Sequence, residues 1–330
     1  MIDLSGFVEE ALAIVDGAET APGVYRRHSG RFGTGGAPDP YGAADAANVL
    51  YTLGRFPRDE AVRKAAVDGI NALQGEDGIW RETTHHPIHT TAHCVAALEL
   101  YDAPPARPLA GLAALTAPGA MEAFLDELPW RDNPWRASHQ GAGLFAALVL
   151  AGEVSAEWQA RYVAWLTQNA DPETGFWRRG AVGPVEHSDT ATLFPHLAGS
   201  FHYLFNLEYL RAPLPYPERM IDSCLTLWAE DRFPIGRSVG YAEIDWVFCL
   251  NRASRQTAHR YDEGREALHA MEARYTDYLL SLDPREDEGL CDLHLLFGVV
   301  CALAELQAAL PGTIATPRPL RLVLDRRPFI

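Results

Sequence analysis

The sequence predicts an all-α fold, an (α/α)6 toroid of six helical hairpins, and three observations predict it. A turn recurs along the chain, the small and apolar segments recur at the length of a helical hairpin, and the segments beside the turns are of two kinds. The best copies of the turn are residues 74–80, QGEDGIW, and residues 168–177, QNADPETGFW. In each, a helical segment ends in Gln, an acidic stretch follows, and Gly-x-Trp closes the turn. Weaker relatives stand at residues 229–233 and 287–291. Self-similarity at a fixed period is the mark of a repeat architecture.

Taken in order, polar amphipathic helices are expected over residues 4–15, 59–73, 121–128, 156–169, 217–230 and 263–282, each with a single apolar stripe. Between them run segments rich in small and apolar residues, beginning near Tyr41, His89, Ser138, His196, Tyr241 and Cys291. Their spacing of roughly 50 residues suits one hairpin plus its loops. An outer helix of a two-layer ring needs one stripe, whereas an inner helix meets neighbours on nearly every side. Ala43, Ala44, Ala46, Ala47, Gly141 and Gly143 would let inner helices approach closely. Residues 1–312 therefore read as one toroid domain, with residues 313–330 as a C-terminal extension packed on it.

The turns resemble those of the α/α toroid superfamily of terpenoid cyclases and protein prenyltransferases, whose repeats carry Gln-x-x-x-Gly-x-Trp. The six-hairpin glycosidases and polysaccharide lyases share the architecture with looser turns. The resemblance implies a structural task for Trp80 and Trp177, each stacking on an adjacent helix end and locking one hairpin onto the next. It implies fold more firmly than function.

The composition excludes several classes. A chain of 330 residues, 48% hydrophobic, can bury a large core, and its net charge of −16 opposes binding to a phosphate backbone. Nucleic acid is not an expected partner; the arginines read as solvated surface or isolated substrate contacts. No apolar run reaches the roughly 18 to 20 residues of a membrane span. The first residues lack the basic and apolar regions of a signal peptide, so the expected location is cytoplasmic. Five cysteines without a CxxC pair read as buried free thiols.

The candidate chemistry lies where loops enter the inner helices, since helix N-termini present free amides and a positive dipole end. Polar residues gather in those first turns: Tyr41 and Asp45, His89, His139, His202, Tyr241, Glu243 and Asp245, and His294. Histidines in otherwise apolar segments suit proton transfer near neutral pH. Glu243 and Asp245 are two apart, project about 200° from each other on a helix and cannot form a carboxylate pair. Asp245 shares a face with Tyr241, a spacing repeated in Tyr41 and Asp45.

The expected function is a carbohydrate-active enzyme, either a glycoside hydrolase or a lyase. Asp245, Tyr241, His139, His202 and Asp45 are the catalytic candidates; Tyr41, His89, Trp135, Glu243 and His294 are substrate contacts. Asp45 and Asp245 could supply the two acids of hydrolysis. In a uronate β-elimination, Tyr241, His139 and His202 would remove and return the protons. An isoprenoid cyclase or transferase is the alternative, with Trp135, Phe201, Phe205 and Trp246 facing carbocations, although neither Asp-x-Asp-Asp nor Asp-Asp-x-x-Asp occurs. A non-catalytic binding toroid is the second. No cofactor is expected. Zinc is weighed at His85, His89 and His93, but Pro87 should part His85 from the others. It is weighed again at Asp245, Cys249 and His294, where Asp and Cys stand four apart rather than the two of the prenyltransferase pattern.

Overall fold

A computed structural model describes residues 1–34, 36–185 and 192–330. The fold is mostly helical. In chain order the helices are α1 (Ser5–Ala18), α2 (Pro40–Thr52), α3 (Glu60–Ala72), α4 (Pro87–Leu100), α5 (Ala120–Glu127), α6 (Pro134–Leu150), α7 (Ala156–Asn169), α8 (Phe194–Tyr209), α9 (Pro217–Glu230), α10 (Ala242–Ser254), α11 (Tyr261–Ser281), α12 (Glu288–Cys291), α13 (Leu293–Ala309) and α14 (Val323–Arg326). Two short strand pairs accompany them. Ile2–Asp3 runs parallel to Ile314–Ala315, tying the two ends of the chain, and Glu19–Ala21 pairs antiparallel with Val24–Tyr25.

Two kinds of helix are present. In α2 and α10 nearly every side chain is buried, whereas α3 buries only Ala66 and Ile70. The buried helices pack in succession: α2 on α4, α4 on α6, α6 on α8, α8 on α10, α10 on α13, and α13 back on α2. The amphipathic helices lie against them, α1 and α3 on α2, α7 on α6, α9 on α10, and α11 on α10 and α13.

The starts of the buried helices are set by caps and prolines. Asp39, His86 and Asn133 each accept a backbone N–H from the first turn of α2, α4 or α6, and each precedes a proline at the first helical position. Proline fits there because its missing N–H would have no intrahelical partner. Asp292 likewise caps α13 through the His294 amide. Gly42 is needed for a close approach: a Cβ there would lie 2.3 Å from the carbonyl carbon of Arg26, whose segment crosses the start of α2.

The tryptophan turns are matched in detail. The Trp80 indole donates to the Ile70 carbonyl at 2.8 Å and its amide to Thr91 Oγ1 at 3.1 Å. The Trp177 indole donates to Leu166 at 2.9 Å and its amide to Ser200 Oγ at 3.0 Å. Each turn therefore ties the end of an outer helix to the first turns of the buried helix that follows. Ser200→Ala would strand the Trp177 amide in a dry setting, and urea unfolding should show a loss of about 1 to 3 kcal/mol.

Two arginines depart from the expectation of solvated surface. Arg252 is buried between α10 and α13 and forms a two-pronged pair with Glu305, both contacts at 2.8 Å. Arg327 is fully buried over the Phe297 ring, and its three guanidinium nitrogens have no hydrogen-bond partner among the described residues. The segment after α13 thus enters the interior, with α14 packed on α2 and α8. All five cysteines are free thiols. Among the described residues no helix is long and apolar enough to cross a membrane.

Candidate active site

A cavity of about 390 Å³ opens at the N-terminal ends of α4, α6, α10 and α13. His86 and His89 reach it from α4, Asn133, Trp135, Arg136 and His139 from α6, His202 from α8, Tyr241 from the cap of α10, and His294 and Leu295 from α13. Arg27, Thr84, His85 and Ile330 complete the wall. The positive ends of several helices therefore border a space lined by imidazoles and two arginines. Such a field favours an anion or a hydroxyl-rich ligand.

Of the sequence candidates, His89, Trp135, His139, His202, Tyr241 and His294 line this cavity. Tyr41 and Asp45 stand directly behind the lining. The Tyr41 hydroxyl meets His89 Nδ1 at 2.5 Å. Asp45 is fully buried and accepts from His93 Nε2 at 2.7 Å and from His294 Nδ1 at 3.1 Å. Burial alone would raise the pKa of Asp45, but the two imidazoles outweigh it and hold the carboxylate well below its usual range.

The donor directions around His294 can be assigned. The Tyr241 hydroxyl lies 2.6 Å from the His294 carbonyl oxygen, which can only accept, so the phenol donates there. His294 Nδ1 lies 2.8 Å from the same hydroxyl oxygen and close to the Asp45 carboxylate. Both neighbours are then acceptors for one N–H, which places the proton on Nδ1 and leaves Nε2 with its lone pair. Burial first, then nearby Asp45, pushes Tyr241 well above the usual phenol range and keeps it protonated.

Besides Tyr41 and Asp45, two further candidates are absent from the cavity wall. Glu243 was expected as a substrate contact, but it is buried, and its carboxylate takes N–H groups from Gly236 at 2.9 Å and Ser238 at 3.2 Å and the Ser238 hydroxyl at 2.9 Å. It organises the loop before α10, a task set by a turn that no helical period reveals. Asp245 lies one turn into α10, is buried with neither carboxyl oxygen hydrogen-bonded among the described residues, and is absent from the cavity wall. Burial, then Glu243, drives its pKa well above the ordinary aspartate range and favours the neutral carboxyl form. Helix α10 begins at Ala242 with Tyr241 as its cap; the Asp245 amide donates to the Tyr241 carbonyl at 2.9 Å, yet of the two residues only Tyr241 lines the cavity.

His85 is a correction in the other direction. Pro87 does start α4, yet the loop before it folds back, and the His85 ring stacks on His89 at 4.8 Å and on Tyr41 at 4.6 Å. The carbocation candidates fare differently from one another: Trp135 lines the cavity, while Phe201, Phe205 and Trp246 are buried elsewhere.

Residues able to hold a metal ion fall into two groups, His89 with His139 and His202, and Asp45 with His93 and His294. Neither is a set weighed from the sequence. Spacing along one helix groups neighbours on that helix, whereas these groups draw one residue from each of three helices. Arg27, Arg136 and Ile330 were also not singled out. Arg27 grips Asp292 with two nitrogens at 2.9 and 2.8 Å, while Arg136 is exposed at the rim with no ion pair among the described residues.

Compared with known protein families, with curated proteins and with solved structures, the chain matches none.

Proposed function

We propose that this chain is an (α/α)6 toroid and a carbohydrate-active enzyme that cleaves a uronate-bearing substrate by β-elimination. The toroid reading rests on the succession of buried helices, in which the last returns to the first, with amphipathic helices outside. The observation that carries the function is the character of the cavity wall. Imidazoles, a tyrosine and two arginines line it, and among the described residues no aspartate or glutamate side chain does. Two-carboxylate hydrolysis needs both acids on the substrate. Asp45 stands behind His294, and Asp245 is absent from the cavity wall.

In this reading Arg136 and the helix N-termini hold the substrate carboxylate. His294 Nε2 removes the proton from the carbon next to that carboxylate, and Asp45, a positioning residue, holds the resulting imidazolium through Nδ1. The carbon–carbon double bond forms as the glycosidic C–O bond breaks, and the Tyr241 hydroxyl turns its proton from the His294 carbonyl to the leaving oxygen. A screen of uronate-containing oligosaccharides should yield a product absorbing near 235 nm (roughly, for the conjugated carboxylate) in step with new reducing ends. Reducing ends without that absorbance would show hydrolysis and overturn the elimination reading. Absence of both signals across polymannuronate, polyguluronate, polygalacturonate and glucuronate-containing glycans would overturn the carbohydrate reading itself.

A further inference from the structure

We infer that His89, His139 and His202 form a three-imidazole binding site for a zinc-type divalent metal ion, with a fourth position open to the cavity. One candidate nitrogen from each ring lies within 4.8 Å of the other two, and the rings come from three different helices, α4, α6 and α8. Neighbouring rings are tilted, not stacked: His89 and His139 meet at 4.4 Å between centroids and 53°, His139 and His202 at 4.9 Å and 67°. Tilted rings direct edges at a common point, which is where ring nitrogens are.

The outer partners orient the nitrogens as a metal requires. His202 Nδ1 lies 2.9 Å from the Ala198 carbonyl, an obligate acceptor, so that nitrogen carries the proton and Nε2 keeps its lone pair. Ser138 Oγ, which donates its own proton to the Trp135 carbonyl at 2.6 Å, is a second acceptor for the same N–H at 3.2 Å. His89 Nδ1 pairs with the Tyr41 hydroxyl, and in the tautomer in which Nδ1 donates to that oxygen Nε2 keeps its lone pair for a metal. A ligating histidine whose other nitrogen is held by a hydroxyl or carbonyl is the usual arrangement around protein-bound zinc. His139 has no hydrogen-bond partner among the described residues and is only half-buried, so its ring can swing to complete the set. Tetrahedral Zn–N bonds of about 2.0–2.1 Å put the three nitrogens about 3.4 Å apart. Binding would draw the three nitrogens together from separations of up to 4.8 Å.

The second group, Asp45, His93 and His294, is a poorer site despite its resemblance in composition. The carboxylate and one nitrogen of each imidazole already bond one another. By contrast the three-histidine group offers nitrogens that no protein group takes. It also borders the cavity, so a water molecule or a substrate oxygen would fill the fourth position. The inference concerns binding and does not rest on the choice of substrate.

The test uses the full chain stripped of metal by a chelator and titrated with Zn²⁺ by calorimetry and with Co²⁺ by visible absorption. One equivalent should bind, and Co²⁺ should give the intense ligand-field bands of a four-coordinate site. His139→Ala, at a half-exposed position without hydrogen bonds, should fold with an unchanged far-ultraviolet spectrum and abolish those bands. Tyr41→Phe should weaken binding by about 10- to 100-fold through loss of the outer partner. Asp45→Asn, which dismantles the other group, should leave affinity close to wild type. Failure of the wild-type chain to bind either ion, or cobalt bands that persist in His139→Ala, or binding that is lost in Asp45→Asn but kept in His139→Ala, would each overturn the assignment. Because no readout is enzymatic, these outcomes stand whether or not elimination is the reaction.

Discussion

Asp45→Asn is expected to lower turnover by about 10² to 10⁴-fold in a protein that remains folded. Wild-type Asp45 accepts from both His93 and His294 and is ionised, so it fixes the His294 proton on Nδ1 and stabilises the imidazolium formed when Nε2 takes a proton. An asparagine of the same shape can donate from its amide instead. That favours the tautomer with the proton on Nε2, and the base is lost although the ring stays in place. Tyr241→Phe should cost a similar factor for a different reason, because the leaving oxygen then departs without a proton. A substrate with a leaving group that needs no protonation separates the two: it should restore much of the activity of Tyr241→Phe and little of that of Asp45→Asn. Turnover measured alongside urea unfolding on each variant decides the matter. A folded Asp45→Asn protein with near-normal turnover would remove His294 and Asp45 from the mechanism.

The helices were legible because their signals are local. The amphipathic segment read over residues 156–169 coincides with α7, that over residues 217–230 with α9, and Pro40, Pro87 and Pro134 mark where buried helices start. Of the histidines expected in first turns, His89 and His294 lie there in α4 and α13, whereas His139 and His202 sit deeper in α6 and α8. What was not legible depends on contacts distant in sequence. Glu243 looked like a substrate ligand until the Gly236–Ser238 turn supplied its donors. Asp245 does follow Tyr241 by one helical turn, its amide bonded to the Tyr241 carbonyl, but only Tyr241 lines the cavity, a difference set by the neighbouring helices and not by spacing. The residues after α14 show no period at all, yet Phe329 packs on His89 at 4.9 Å and Ile330 lines the cavity. A metal set spread over three helices leaves no spacing to find.

Asp245 yields the sharpest departure from what its sequence position suggests, and the expected result has a sign. Its folded pKa is raised above the unfolded value because burial removes the charged form from water and Glu243 adds a like charge. Above the ordinary aspartate range the unfolded chain therefore holds fewer protons than the folded one, and stability declines as pH rises. The stability linked to this group is fully present below the unfolded pKa and is lost progressively up to the folded one, with a slope of up to about 1.4 kcal/mol per pH unit. Asp245→Asn removes the titration while keeping the shape. Urea unfolding at a series of pH values should show the two proteins nearly equal near pH 4 (about the ordinary aspartate value) and the variant increasingly the more stable toward neutrality. Taking the difference between the two proteins cancels every other titrating group that they share. Turnover should change little, because the side chain lies off the cavity wall. Parallel stability curves would mean that Asp245 is ionised in the fold with a partner, and a large fall in turnover of the folded variant would return it to the list of catalytic acids.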